Sequence, residues 1–247
     1  MVSTRVRKTL KIALISLAVV VVAGAAGFVA WTRLARYAAF PDAAIVAQSS
    51  ATPQGWYVFQ PAETTDTALI FYPGGLVDPA AYAPLMKSVS DHGIMTVIVP
   101  MPLDLAVFGV GKASDVIAAY PSIKHWIVGG HSLGGSMTAE FVKGNPSAVQ
   151  GVVFLASYPA DSTDLSALPL HVVSIYGTED GLAGGKFEAS MSRLPPDTRV
   201  VVIEGGNHAQ FGDYGPQSGD GTATISRDAQ QAETVAAITD LEEALHR

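Results

Sequence analysis

The chain has 247 residues, enough for one or two domains with a sizeable core. It contains no cysteine, which excludes disulfide bonds, thiolate metal sites and a cysteine nucleophile. The net charge is −7 at pH 7, and residues 37–247 carry all 22 acidic residues but only nine of the 15 basic ones. Because phosphate binding needs clustered positive charge, we do not expect this acidic part to bind nucleic acid.

The N-terminal part predicts a membrane-spanning helix. Residues 10–30, LKIALISLAVVVVAGAAGFVA, are almost entirely apolar and long enough to cross a bilayer as a helix. Basic residues flank this run on both sides and are more numerous upstream: Arg5, Arg7, Lys8 and Lys11 before it or at its start, Arg33 and Arg36 after it. Since the more positive flank stays in the cytoplasm, the N-terminus is predicted inside and the remainder of the chain outside the cell.

These features divide the chain into a basic cytoplasmic tail (1–9), a transmembrane signal anchor (10–30), a linker (31–41) and a folded domain (42–247). The alternative is a cleaved signal peptide, because the small residues at 23–27 offer a cleavage site. The length of the apolar run and the interfacial Trp31 favour an uncleaved, single-pass anchor in the cell membrane. Both alternatives export the folded domain.

The folded domain alternates short apolar runs with helix-like stretches. Strands are predicted at 45–48, 56–60, 68–72, 95–99, 126–129, 152–156, 172–176 and 200–203. Helices are predicted at 79–91, 113–119, 133–143, 185–193 and 227–245, the last with Ser226 as its N-cap. Several strands are continuous β-branched runs, which are typical of strands buried on both faces of a parallel sheet. The alternation predicts one doubly wound α/β domain with a mostly parallel sheet.

Residues 210–224, QFGDYGPQSGDGTAT, separate the last strand from the last helix. Asp213 and Asp220 suggest a calcium loop, but their spacing does not fit an EF-hand. We interpret the segment as a mobile, solvated loop beside the functional site.

The run IVGGHSLGGS at 127–136 places Ser132 between Gly130 and Gly134, directly after a predicted strand. The pattern G-x-S-x-G is typical of a sharp strand-to-helix turn that exposes a nucleophilic serine. A serine hydroxyl is a weak nucleophile until a base takes its proton, so an acid and a base are needed nearby.

The partners of this serine are predicted after the later strands, because functional groups gather at the carboxyl ends of parallel strands. Asp180 follows the strand at 172–176 in the turn GTEDG, and His208 follows the strand at 200–203 in EGGNHAQFG. Glu179 and Asp161 are alternative acids. The remaining histidines are interpreted as solvated, at His92, His125, His171 and His246, or, for His131, as pointing away from the nucleophile.

The elbow GHSLGG, then YGTEDG, then GGNH, in the order Ser, Asp, His, resembles the α/β-hydrolase superfamily over residues 53–247. It is similar in particular to the lidless, dienelactone-hydrolase-like branch called α/β-hydrolase family 5. Dienelactone hydrolases themselves use a cysteine nucleophile, so their substrate does not carry over to this chain. The resemblance implies an α/β-hydrolase fold and a catalytic triad of Ser132, His208 and Asp180.

An oxyanion formed at such a triad needs two backbone N–H donors. One is expected from Leu133, the residue after the nucleophile. The other is expected from the loop Pro73-Gly74-Gly75-Leu76, which replaces the family's His-Gly pattern; the register favours Gly75, with Gly74 next.

We therefore predict a membrane-anchored serine hydrolase, carboxylesterase-like, that acts on a small-molecule acyl substrate through an acyl-enzyme. Residues 158–170 are too few for a lid domain, which favours small or exposed esters, and Val107, Phe108 and Leu182 are candidate cleft residues. No P-loop, HExxH or Rossmann fingerprint is present, so neither a metal nor a cofactor is expected. Two alternatives stay open: an acyltransferase with the same triad, and a non-catalytic, membrane-tethered binding module.

Overall fold

The computed structural model describes residues 4–183 and 185–247, and the chain divides into two compact units between Arg36 and Tyr37. The described residues of the first unit, 4–36, contain one helix, α1 (Thr4–Leu34), whose stretch Ala13–Leu34 is long and apolar enough to cross a membrane. The residues in the most apolar part of this stretch are all unburied. The helix begins six residues before the predicted span 10–30 and ends four residues after it, and both an anchor and a signal sequence have this form.

The second unit is built on a sheet that has seven strands in the described part of the chain. They are β1 (Tyr57–Phe59), β2 (Thr67–Tyr72), β3 (Met95–Ile98), β4 (His125–His131), β5 (Gly151–Leu155), β6 (His171–Gly177) and β7 (Arg199–Ile203). Their order across the sheet is β1-β3-β2-β4-β5-β6-β7. Strand β1 pairs antiparallel with β3, and the described pairs from β3 to β7 are parallel. The predicted mostly parallel sheet is confirmed.

Helices cover both faces of this sheet. They are α2 (Pro41–Gln48), α3 (Ala83–Asp91), α4 (Lys112–Ala119), α5 (Leu133–Gly144), α6 (Lys186–Ser190) and α7 (Arg227–Leu245). Alternate strand residues point to opposite faces, so Leu69 and Phe71 join the core beneath α3 and α7, whereas Ile70 joins the core beneath α4 and α5. The apolar strands thus separate two cores, which is the doubly wound arrangement expected from the sequence.

The predicted strand at 45–48 is wrong, because these residues end the helix α2. Pro41 begins that helix, where its fixed φ and missing N–H are tolerated. Ala43 and Ala47, four residues apart, are buried, while Ile45 on the opposite side is 65% exposed. A helical spacing of two small residues therefore outweighs the short β-branched run. The predicted N-cap of α7 is confirmed, since the Ser226 side chain accepts a hydrogen bond from Ala229 N (3.1 Å).

Two loops near the carboxyl edge of the sheet define the surroundings of the site. Residues 156–170 between β5 and β6, all of them described, form neither helix nor strand, so no lid domain is inserted there. The loop 210–224 is only partly solvated, because Phe211 and Tyr214 are fully buried. The expectation of a solvated loop is therefore wrong for these two aromatic side chains, which anchor the segment in the core.

Candidate active site

Ser132 lies at the turn between β4 and α5 in a backbone conformation that is rare for a residue with a side chain. Its φ is 52° and its ψ is −122°. The Ser132 N–H donates to the carbonyl oxygen of Leu155 (3.0 Å), and the Ser132 carbonyl accepts from the hydroxyl of Ser157 (2.6 Å). Such strain persists only where the surroundings hold it, and here strand β5 and the residues after it do so.

The glycines of the elbow are explained by close backbone contacts. A Cβ atom on Gly130 would lie 2.5 Å from the carbonyl carbon of Gly134. A Cβ atom on Gly134 would lie 2.1 Å from the carbonyl oxygen of Tyr72 and 2.4 Å from that of Pro73. Only residues without a side chain let α5 start this close to β2 and β4, which agrees with the G-x-S-x-G pattern.

Asp180 and His208 come together from the loops that follow β6 and β7. The Nδ1 atom of His208 lies 2.9 Å from Oδ2 of Asp180, and their side chains are 3% and 1% exposed. The other oxygen, Oδ1 of Asp180, accepts from the backbone N–H groups of Leu182 (2.9 Å) and Ala183 (3.0 Å). The carboxylate is thereby held with one oxygen directed at the imidazole, which makes Nδ1 the donor.

The alternative acids lie elsewhere. The side chain of Asp161 is fully exposed and pairs with Arg193 (3.3 Å). Oε1 of Glu179 accepts a hydrogen bond from the Thr178 hydroxyl (3.3 Å). Of the three predicted carboxylates, the structure brings Asp180 to His208.

Ser132 and His208 line one small pocket of about 80 Å³, together with Ser136, Ala156, Ser157, Tyr158, Leu182 and Ala183. The Nε2 atom of His208 is buried and has no hydrogen-bond partner among the described residues, Ser132 included. Hydrogen bonds between a base and its nucleophile are often long before substrate binds, so the absence of this bond does not exclude such a pair. Leu182 lines this pocket as predicted, whereas Val107 and Phe108 lie on the surface outside its described lining.

The two predicted oxyanion donors lie next to each other. Leu133 is the first residue of α5, so its N–H has no acceptor one turn earlier in the helix. A Cβ atom on Gly75 would lie 3.1 Å from Cδ2 of Leu133. The N–H of Gly74 donates to the Tyr82 hydroxyl (3.0 Å), whereas the N–H of Gly75 has no acceptor among the described residues. The geometry therefore favours Gly75 over Gly74 as a free donor.

The comparisons with known proteins agree with this fold. The family model described as the alpha/beta hydrolase family matches residues 68–232. The chain belongs to this family. No curated protein sequence matches this chain.

Solved structures show the same fold at low sequence identity. Alpha/beta hydrolase domain-containing protein 10 from mouse is 15% identical, with a TM-score of 0.57, over 77% of this chain and 94% of that one. Est1E from Butyrivibrio proteoclasticus is 10% identical, with a TM-score of 0.58, over 76% and 94%. The esterase domain of a Rhodothermus marinus protein is 13% identical, with a TM-score of 0.55, over 78% and 95%. This α/β-hydrolase therefore has esterases among its structural neighbours.

The hydrolase also contains a buried network that the sequence did not suggest. His131, expected only to point away from the nucleophile, is fully buried; Nε2 lies 3.1 Å from the carbonyl oxygen of His208 and Nδ1 lies 2.8 Å from the Tyr82 hydroxyl. Because a carbonyl only accepts, Nε2 is the donor, and Nδ1 accepts from Tyr82. The Tyr82 oxygen accepts in turn from Gly74 N. The network connects the loop that contains Gly74, the elbow and the loop that contains His208.

Burial, and secondly the neighbouring His208 imidazole, lowers the pKa of His131 well below its ordinary value. Burial raises the pKa of the Tyr82 hydroxyl, which stays protonated as the donor. A histidine directly before the elbow serine was the available signal, but its partner Tyr82 lies 49 residues away in sequence.

The other histidines lie outside the site. His92, His171 and His246 are exposed as predicted, and His125 is half-buried against the His246 ring. Within the described residues of this α/β-hydrolase, no group of three or more His, Asp or Glu side chains is placed to hold a metal ion.

Proposed function

We propose that this α/β-hydrolase is a serine hydrolase that cleaves carboxylic esters through Ser132, His208 and Asp180. The observation that carries the proposal is the buried pair of Asp180 and His208, 2.9 Å apart, in which Nε2 of His208 has no partner among the described residues and His208 lines the same pocket as Ser132. A nucleophile on a strained turn, a base and an orienting acid form the set of groups that acyl transfer requires.

In the first half-reaction, Oγ of Ser132 forms a bond to the acyl carbon while its proton moves to Nε2 of His208. The carbonyl electron pair moves onto oxygen, and the N–H groups of Leu133 and Gly75 stabilise that oxyanion; one such donor contributes about 3 kcal/mol to the lowered barrier. The oxyanion collapses, the bond to the alcohol oxygen breaks, and that oxygen takes the proton from Nε2. The products are the free alcohol and acyl-Ser132.

In the second half-reaction, water replaces the alcohol. His208 takes a proton from the water as the water oxygen attacks the acyl carbon. It then returns a proton to Oγ of Ser132 as the acid leaves. Asp180 accepts the Nδ1–H hydrogen bond throughout, which keeps Nε2 available as the base and stabilises the imidazolium between the two transfers.

The size of the pocket supports a short acyl group. Its volume of about 80 Å³ is well below the ~300 Å³ of an ordinary small-molecule site, and Leu182 and Ala183 bound it. With no lid between β5 and β6, the alcohol part of the ester can extend into solvent. We therefore propose small or exposed esters as the substrate class.

We further propose that α1 is an uncleaved signal anchor in the cell membrane, with the N-terminus inside and the catalytic unit outside. What supports this is the length and apolar composition of Ala13–Leu34 and the excess of basic residues before it.

Labelling with a fluorophosphonate tests the nucleophile. The full chain in mild detergent should be labelled, the Ser132→Ala variant should not, and the matched Ser136→Ala variant should be labelled as wild type. Ser136 lines the same pocket, but its hydroxyl donates to the Tyr158 carbonyl (2.8 Å). Absence of labelling that depends on Ser132 would contradict the enzyme and favour a binding module.

The preferred acyl length tests the proposed substrate class. A series of p-nitrophenyl esters of increasing acyl length should show the highest kcat/KM for acetate to butyrate, because longer chains exceed the pocket. A strong preference for long chains would contradict the substrate class.

The products identify the reaction. With a competing alcohol or amine present, release of the free acid indicates a hydrolase, and transfer of the acyl group to the competitor indicates an acyltransferase.

A further inference from the structure

One carboxylate from the loop 210–224 connects the two loops that carry Asp180 and His208. Oδ1 of Asp220 accepts from the backbone N–H of His208 (3.1 Å) and from that of Gly181 (3.3 Å). Oδ2 of Asp220 accepts from the N–H of Ala209 (2.8 Å). One side chain therefore holds the base loop at His208 itself and the acid loop at the residue directly after Asp180.

The backbone around Asp220 is itself fixed by close packing. A Cβ atom on Gly181 would lie 2.5 Å from the carbonyl oxygen of Gly219, and one on Gly221 would lie 2.1 Å from that of Glu179. The Asn207 side chain donates to the Gly221 carbonyl (2.8 Å). Glycines in both segments thus let residues 219–221 lie directly against the acid loop, so the position of the Asp220 carboxylate is determined by the fold.

Backbone N–H groups, including that of Gly221 (2.8 Å), are the partners of the Asp220 carboxylate. Among the described residues, no Lys or Arg side chain forms an ion pair with it. Oδ1 accepts from both loops, through His208 and Gly181, and Oδ2 adds a second bond to the base loop through Ala209. An amide oxygen at this position accepts on one side only, and a methyl group accepts on neither.

We propose that Asp220 is a positioning residue that sets the geometry of the Asp180–His208 pair; this rests on the proposed function in that the pair serves as acid and base. Without the carboxylate, the N–H groups of His208, Ala209 and Gly181 lose their acceptor, and the two loops are no longer tied to a common point. A displacement of about 1 Å in a catalytic group costs on the order of 100-fold in rate.

The kinetic test compares Asp220→Ala and Asp220→Asn with the matched variant Asp213→Asn in the same loop. The Asp213 carboxylate accepts from Nε2 of Gln231 (3.0 Å), and no described contact joins it to either catalytic loop. We expect kcat for a p-nitrophenyl ester to fall about 100-fold in Asp220→Ala and about tenfold in Asp220→Asn, with KM nearly unchanged. Asp213→Asn should stay within about twofold of wild type.

A second readout does not depend on esterase activity. The Nδ1–H proton of His208, hydrogen-bonded to Asp180, should give a downfield imidazole resonance in histidine-labelled full chain, identified by its absence in His208→Gln. The resonance should be kept in Asp213→Asn and be lost or shifted in the Asp220 variants. If Asp220→Ala does not fold, Asp220→Asn, which keeps one acceptor oxygen, decides.

The two readouts separate the possible failures. Absence of Ser132-dependent labelling together with an Asp220-dependent resonance would contradict the proposed hydrolase and support the positioning of the pair. An unchanged resonance in the folded Asp220 variants overturns the positioning role whatever the activity. A fall in kcat no larger than that of Asp213→Asn, in an active enzyme, overturns it as well.

Discussion

The side chain of Asp180 reaches His208 because two backbone N–H groups, those of Leu182 and Ala183, hold its other oxygen. Ser132 is held in the same way, by the hydrogen bond of its N–H to Leu155 and that of its carbonyl to Ser157. At the scale of single residues, the site is thus a set of side chains whose places are determined by hydrogen bonds to or from backbone groups. Preorganisation of this kind reduces the reorganisation needed during the reaction.

Replacing Asp180 by Asn should abolish most activity while leaving the protein folded. The amide oxygen can still accept from Leu182 and Ala183, but the group no longer carries the charge that stabilises the imidazolium and selects its tautomer. We expect kcat to fall by about 10³- to 10⁴-fold. The control is Asp161→Asn at the fully exposed alternative acid, which should leave kcat unchanged. Activity of Asp180→Asn within tenfold of wild type would exclude Asp180 as the acid.

His131 should make the folded state sensitive to acid. Its pKa is lowered in the folded protein by burial and then by His208, and lies near 6.5 when the chain is unfolded. The unfolded state therefore binds the proton first as the pH falls. The contribution of neutral His131 is complete above about pH 6.5, and about 1.4 kcal/mol is lost for each pH unit below it until the folded pKa is reached.

Urea unfolding between about pH 7.5 and 5.5 measures this effect. As the pH falls, the free energy of unfolding of the wild type should decline more steeply than that of His131→Gln. The difference in slope should correspond to about one more proton bound on unfolding. His92→Gln, at an exposed histidine, should keep the wild-type slope. Equal slopes for wild type and His131→Gln would show that His131 titrates alike in the folded and unfolded states.

At the scale of elements, the site depends on how closely the start of α5 approaches β2 and β4. Gly130 and Gly134 leave no space for a Cβ atom, because backbone atoms of the neighbouring elements lie at 2.1–2.7 Å from where it would be. Backbone cannot give way as the end of a long side chain can. The elbow glycines are therefore a requirement of packing, independently of the chemistry proposed at Ser132.

Gly134→Ala should destabilise the protein by about 3 kcal/mol or prevent it from folding, since the added methyl group overlaps the carbonyl oxygens of Tyr72 and Pro73. Gly144→Ala at the other end of α5 has nothing within 4 Å of the new atom and should be neutral or stabilise by up to about 1 kcal/mol. Urea unfolding measures both. A Gly134→Ala variant as stable as wild type would contradict the packing.

At the scale of the whole molecule, the two units differ in what they are built from. The unit from Tyr37 to Arg247 contains the sheet and both cores, and its first residue is bonded within that unit through the Tyr37 N–H to the Leu76 carbonyl (2.8 Å). In the unit ending at Arg36, the described residues form one largely apolar helix that ends at Leu34. The residues proposed for catalysis, Ser132, Asp180 and His208, all belong to the second unit.

Removing residues 1–36 should move the protein from the membrane fraction to the soluble fraction and leave kcat/KM for a water-soluble ester unchanged. The full chain should be recovered with the membranes, and its intact mass should correspond to the complete sequence if α1 is an uncleaved anchor. If expression of the full-length gene instead gives a soluble protein that is shortened at its N-terminus, α1 is a cleaved signal peptide.

The amino-acid sequence by itself determined the features that depend on neighbours along the chain. The β-branched runs predict the parallel strands, the apolar run predicts α1, and the glycines around Ser132 predict the elbow. Each of these signals is local, because the residues that produce it are contiguous or repeat with the period of one element. The helix α2 was missed since two small residues four apart are a weak signal.

The tertiary structure decided what depends on residues far apart in sequence. It selected Asp180 over Asp161 and Glu179 as the carboxylate beside His208 and left Gly75 rather than Gly74 with a free N–H. It also revealed the contacts of Tyr82 with His131 and of Asp220 with the loops that carry Asp180 and His208. A hydrogen bond requires a donor and an acceptor about 3 Å apart. Only the fold of the sheet and its loops brings such distant residues to that separation.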